Sequence, residues 1–238
     1  MNCSKEPMEP TDRNIAIYQD ILLTWSKEGG ARSFLWRLPE NRTPYRAVMA
    51  EIMLRRTRAP QVTAVYQAFL ERFPTLAAAL QAKPAEVKEL LYPLGLEWRA
   101  DDVLRLFDAA REDGIVDFPL DLKKLRSLPG IGDYVSAAVA CFAGGQTEPL
   151  IDTNVVRVLG RIFGLSTTGE ARRRVDMRGL AARAVYTADP AGYHYALLDF
   201  GAKVCVARRP RCENCPFSSD LRCDYYRHLM LAKTSTDA

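Results

Sequence analysis

Apolar residues along this chain recur three and four positions apart, and nowhere alternate as a half-buried strand requires. Val103, Leu106, Phe107 and Ala110 follow i, i+3, i+4, i+7; Val135, Ala138, Val139 and Phe142 repeat the spacing, as do Val155, Val158, Leu159 and Ile162. Such a chain buries one stripe per helix, so the expected fold class is all-α. Thr43 before Pro44 predicts a capped helix with proline at its first position, running to about Thr57. Pro74, Pro84, Pro119 and Pro190 punctuate later segments, and Gly144-Gly145 closes a helix that begins near Asp133. About ten helices with short connections result. With 238 residues, 48% of them apolar, one large or two interleaved domains are expected.

The net charge of +4, carried mostly by arginine, suits a polyanion partner but decides little alone. No apolar run approaches the roughly 18–20 residues that span a bilayer, so no membrane role is expected. The start, MNCSKEPMEPTDRN, lacks the apolar stretch of a secretory signal. A reducing cytoplasm is therefore expected, where Cys3, Cys141, Cys205, Cys212, Cys215 and Cys223 do not form disulfides. Four of them, Cys205, Cys212, Cys215 and Cys223, are separated by six, two and seven residues. Four thiolates so close in sequence can enclose one metal centre, either zinc or an iron–sulfur cluster. Cys141 lies on an apolar helix and reads as a small core residue.

Two other stretches carry chemistry. Around Leu128-Pro129-Gly130-Ile131-Gly132, within 121–143, the spacing predicts two helices joined by a tight turn. Pro129 ends the first helix, and the glycines permit unusual backbone angles and close approach of another chain. The N–H groups opening the second helix form an anion site of the kind that holds phosphate, although such a turn is also common as plain structure. Twenty residues beyond Gly132 comes Asp152, at the start of a further helix. It reads either as an N-cap or as a carboxylate placed to stabilise positive charge on a reacting sugar. Glu51 and Arg55 stand in i, i+4 order, the spacing of a surface ion pair.

These stretches together resemble the helix-hairpin-helix (HhH-GPD) superfamily of DNA glycosylases. LPGIGDYVSAAV is similar to its hairpin, IDTNVVRVLGR to its catalytic segment, and LLDFGAKVC with the cysteine run to its [4Fe–4S] loop. The family's usual cysteine gaps are six, two and five, so the last gap here is two residues longer. The resemblance covers about residues 30–228 and implies a six-helix barrel at 44–150, with a second domain of 1–43 plus 151–238. Double-stranded DNA with a mismatched or damaged base would lie in the cleft between them.

By the same resemblance, Cys205, Cys212, Cys215 and Cys223 hold the [4Fe–4S] cluster. Leu128, Gly130, Ile131 and Gly132 grip DNA backbone, with a monovalent cation at the hairpin carbonyls. Asp152 is catalytic. TPYRAVMAEIMLRRTRA resembles the helix that brings a Glu to the flipped base, which assigns that role to Glu51. Arg55 and Arg56 fall where the family reaches into the duplex near the partner base, and Leu96 matches an intercalating position. Endonuclease III-type enzymes carry an imine-forming Lys where this chain has Tyr134, which instead implies a pocket wall and no Schiff-base lyase step. Thymine–DNA mismatch glycosylases of the Mig type match best. The expected function is thus monofunctional release of thymine or uracil opposite guanine, by a monomer. Adenine glycosylase action opposite 8-oxoguanine or guanine is the second reading, and a non-catalytic DNA-binding iron–sulfur protein the third.

Overall fold

The computed structural model describes residues 9–95, 97–219 and 222–236; Cys3 and Leu96 lie outside them. The described residues form twelve α-helices and no strand. They are α1 (Asp12–Trp25), α2 (Pro44–Leu54), α3 (Ala59–Arg72), α4 (Leu76–Leu80), α5 (Pro84–Leu91) and α6 (Glu97–Glu112), followed by α7 (Leu122–Ser127), α8 (Asp133–Gly144), α9 (Thr153–Phe163), α10 (Val175–Ala184), α11 (Pro190–Lys203) and α12 (Asp224–Thr236). The count exceeds the expected ten, and α4, of five residues, is too short to show a period. Thr43 caps α2 by accepting from the Arg46 N–H at 3.4 Å, with Pro44 first in the helix. Pro84 and Pro190 open α5 and α11 in the same way. Gly145 closes α8 in the left-handed conformation.

The chain divides into two compact units, each with its own core. One is Ser33–Gln146, containing α2 to α8. Its core gathers Val48, Met49, Ile52, Tyr66, Phe69, Phe107 and Val139, all under 2% exposed. Fully burying one such side chain contributes about 1.5–3 kcal/mol. Helices α2 and α8 pack closely along their lengths.

The other unit comprises the described residues through Arg32 and from Thr147 onward. In its core Tyr18 stacks on Phe217 at 5.6 Å and meets Phe163 edge-on, also at 5.6 Å. The expected boundaries at 43/44 and 150/151 fall instead at 32/33 and 146/147. Trp36 explains the first shift: it is buried, stacks on Phe34, and meets Tyr66 of α3 edge-on at 5.6 Å. The second follows from His194 on α11, whose Nε2 lies 3.0 Å from the Glu148 carbonyl. Among the described residues no helix is long and apolar enough to cross a membrane.

Candidate functional site

The hairpin forms as the sequence dictates. Helix α7 ends at Ser127, and the extended backbone of Leu128 after it suits a residue before proline. Gly130 adopts φ +76°, and the Ile131 N–H closes the turn on the Leu128 carbonyl at 3.2 Å. Leu128 and Ile131 are 6% and 5% exposed, so their side chains plug the core and only backbone remains to meet a partner. Gly132 differs from Gly130. Its φ of −96° suits any residue, and a Cβ there would meet nothing within 4 Å. No neighbouring atom and no unusual φ demands glycine at 132.

On α2, Glu51 is buried with its neighbours Ala47 to Met53. Tyr134 stands in the first turn of α8, partly buried against the same core. Arg55 departs from the sequence expectation. Its Nη2 pairs with Asp102 of α6 at 3.2 Å, its Nη1 donates to the Gly130 carbonyl at 3.3 Å, and its guanidinium lies 5.2 Å from the centre of the Trp98 ring. That side chain braces α2, α6 and the hairpin together. Helix α2 also ends at Leu54 rather than Thr57, and Arg56 takes φ +56° with its side chain exposed. Of the two arginines, Arg56 is the one presented to solvent.

In the other unit Asp152 is the N-cap of α9. Its Oδ1 accepts from the Asn154 and Val155 N–H groups, both at 2.8 Å, and its Oδ2 accepts from Asn154 Nδ2 at 2.7 Å. Three donors fix the carboxylate while it stays partly exposed. Asn154 is held in turn by Arg157, whose Nη2 donates to Asn154 Oδ1 and to the Gly201 carbonyl, both at 2.9 Å. Arg157 Nε donates to the Cys205 carbonyl at 2.8 Å. Gly201 permits this approach: a Cβ there would sit 3.3 Å from Arg157 Nη2 and from Asn154 Cβ. Burial, above all, lowers the Arg157 pKa from its ordinary value.

Cys205, Cys212, Cys215 and Cys223 all line one small apolar pocket, with Phe200, Phe217, Tyr225 and Arg161. Arg161 braces the loop, donating to the Val206 and Ala207 carbonyls at 2.7 and 2.9 Å and to Cys205 Sγ at 3.5 Å. Burial pushes the Cys215 thiol up to about 12 and the Cys223 thiol to about 11. Four thiols around one apolar cavity fit a cluster, which takes one ligand per iron. Arg208, Arg209 and Arg211 are exposed on this loop.

Reasoning from sequence missed Asn154, Arg157 and Arg161. Their only signal was polar residues on an otherwise apolar helix.

The family model for HhH-GPD superfamily base excision DNA repair proteins matches residues 49–179. That for the iron–sulfur binding domain of endonuclease III matches residues 205–220, which takes in three of the four cysteines and stops before Cys223. A thymine/uracil-DNA glycosylase of Pyrobaculum aerophilum is 34% identical, over 88% of this chain and 92% of that protein. An adenine DNA glycosylase of Mycolicibacterium smegmatis is 36% identical, over 83% of this chain and 66% of that protein. The solved structure of a thermostable thymine-DNA glycosylase superposes with a TM-score of 0.81 at 30% identity, over 92% of this chain and all of that one. Fold, cysteine loop and sequence agree, and the chain belongs to the HhH-GPD superfamily of base excision DNA glycosylases.

Proposed function

We propose that this chain is a monofunctional, monomeric glycosylase that releases thymine or uracil mispaired with guanine from double-stranded DNA in the cytoplasm. The observation that carries the reading is Asp152, a carboxylate fixed by three hydrogen bonds yet still partly exposed. Breaking an N-glycosidic bond builds positive charge on the sugar, and a preorganised anion stabilises it without rearranging. The target base must first leave the stack, and a mispaired base leaves more cheaply than a paired one. Tyr134 would line the pocket that receives it, with its phenol donating to a thymine carbonyl. A phenol forms no imine, so the strand is left intact at an abasic site. Arg56, exposed and unlike Arg55 not committed to a brace, would donate two hydrogen bonds to guanine O6 and N7. The [4Fe–4S] loop keeps the Asp152 end of α9 and its exposed arginines in place. The hairpin holds DNA backbone, with a monovalent cation at its carbonyls.

A second reading has one observation in its favour. Adenine needs protonation at a ring nitrogen to depart, and buried Glu51 is a carboxyl of the right kind. Single-turnover rates on T·G, U·G, A·G and A·8-oxoguanine duplexes separate the two. Thymine or uracil is expected to leave fastest, with strand breaks only after alkali and no adduct trapped by borohydride. Fastest release of adenine would overturn the substrate, and a strong trapped band the absence of a lyase step.

The hairpin has its own test. Gly132→Val places a side chain in open space at an ordinary φ, so the thermal midpoint should hold. Affinity for matched and mismatched duplexes alike should fall by about tenfold, as backbone N–H contacts to phosphate are lost. Loss confined to one mismatch would contradict a backbone-gripping hairpin. Gly130 is the poorer site to test, because any side chain at φ +76° is itself strained.

A further inference from the structure

Arg99 is 0% exposed and heads the largest fully buried side chains of the described residues. It lies in the first turn of α6. Its guanidinium has no carboxylate partner among the described residues; its hydrogen-bond partners are neutral oxygens from two turns, and the Trp98 ring centre lies 5.8 Å from its carbon. Nη2 donates to the Arg55 carbonyl at 2.6 Å and to Thr57 Oγ1 at 2.7 Å. Nη1 donates to the Leu94 and Gly95 carbonyls at 3.1 and 3.0 Å. The first pair flanks Arg56 on both sides. The second closes the turn that leads directly into Leu96. Burying a cation without an anion is costly, and the cost is offset only through what the cation holds.

What it holds is strained. Arg56 and Arg209 are the only non-glycine residues at positive φ among those described. A left-handed corner of this kind persists only where its surroundings over-determine it, and such corners cluster at sites of recognition. Here the surroundings are Arg99. We infer that Arg99 is the positioning residue for Arg56, fixing the corner that presents Arg56 to the base left behind, and tying that corner to the turn before Leu96. The inference rests on the proposed guanine-reading role of Arg56. It explains why α2 stops at Leu54 in a stretch, LRRTRA, with no helix breaker before Pro60. The three arginines then divide the work, since Arg55 braces, Arg56 reads, and Arg99 sets the angle between them.

The test compares single-turnover thymine release from T·G with release from T opposite 7-deazaguanine, which lacks the N7 acceptor. The wild type should favour guanine by about tenfold, within the discrimination a bidentate arginine gives. Arg56→Ala should bring the ratio to about one. Arg99→Met should do the same, and should add nothing to the ratio when combined with Arg56→Ala. Thr57→Val removes one of the two grips and should lower the ratio partway, which serves if Arg99→Met does not fold. A merely structural Arg99 would slow both duplexes equally, so a preserved ratio in Arg99→Met, or in Thr57→Val, overturns the inference while leaving the glycosylase intact. A wild type inactive on T·G but active on adenine would instead sink the substrate reading.

Discussion

Asp152→Asn is expected to keep DNA binding and to lose base release by about a hundredfold or more, as when other preorganised electrostatic groups are removed. The structure makes the substitution a clean one. Asparagine retains one side-chain oxygen, which can go on accepting from the Asn154 and Val155 N–H groups, so the start of α9 stays capped. The amide that replaces Oδ2 would face the Asn154 Nδ2 donor, and that hydrogen bond is lost. Asn154 cannot simply turn over to compensate, because its Oδ1 is already engaged by Arg157. One lost hydrogen bond costs about 1–2 kcal/mol of stability, far short of the folding free energy. A rate loss much larger than the stability loss therefore reports charge at the sugar. The measurement pairs single-turnover release with a thermal midpoint on the same preparation. Excision at the wild-type rate would make Asp152 a helix cap and nothing more.

That both outcomes can be posed for one residue reflects what its sequence can convey. An Asp before an apolar period is a good cap and a good catalyst for the same reason: its oxygens accept hydrogen bonds at short range. Features that depend on near neighbours are legible throughout. Thr43-Pro44 begins a helix, Gly144-Gly145 ends one, and Pro129 with Gly130 makes the hairpin. Features set by distant partners are not. Nothing near Thr57 announces that α2 stops at Leu54, because the group that stops it, Arg99, is 44 residues from Arg55. Arg55 reads in sequence as a base reader or a partner for Glu51, and in the fold it pairs with Asp102, 47 residues on. Leu128 and Ile131 read as contacts because they belong to the motif, whereas their burial shows that they shape it. The Asn154–Arg157 bridge spans residues 44 and 48 apart at its far ends, and guanidinium-to-carbonyl bonds leave no pattern in sequence at all.

Those same bridges set the second large effect. Between Val204 and Cys223 the described backbone is mostly turn and loop, with a short helical turn at Cys212–Asn214 and few hydrogen bonds of its own. Arg157 and Arg161 hold its first carbonyls, and Phe217 is fully buried against Tyr18 and Phe200. The cysteines must supply the rest. For structural zinc sites in small domains the metal contributes about 10–16 kcal/mol, comparable to a whole domain's stability of about 5–15 kcal/mol. Cys215→Ser is therefore expected to give little folded protein, with iron and labile sulfide well below the four of each per chain that a [4Fe–4S] centre requires. Loss of the loop should also release Arg157 from the Cys205 carbonyl and loosen Asn154 against Asp152, so whatever folded protein remains should release base slowly. Iron and sulfide assays, a thermal midpoint and limited proteolysis follow this directly. Cys223→Ser carries the added question of the longer gap, since Cys223 lies beyond the matched iron–sulfur segment yet lines the same cavity. It should behave as Cys215→Ser does. Full iron and wild-type stability in Cys223→Ser would remove that residue from the ligand set, and stoichiometric zinc without sulfide in the wild type would replace the cluster altogether.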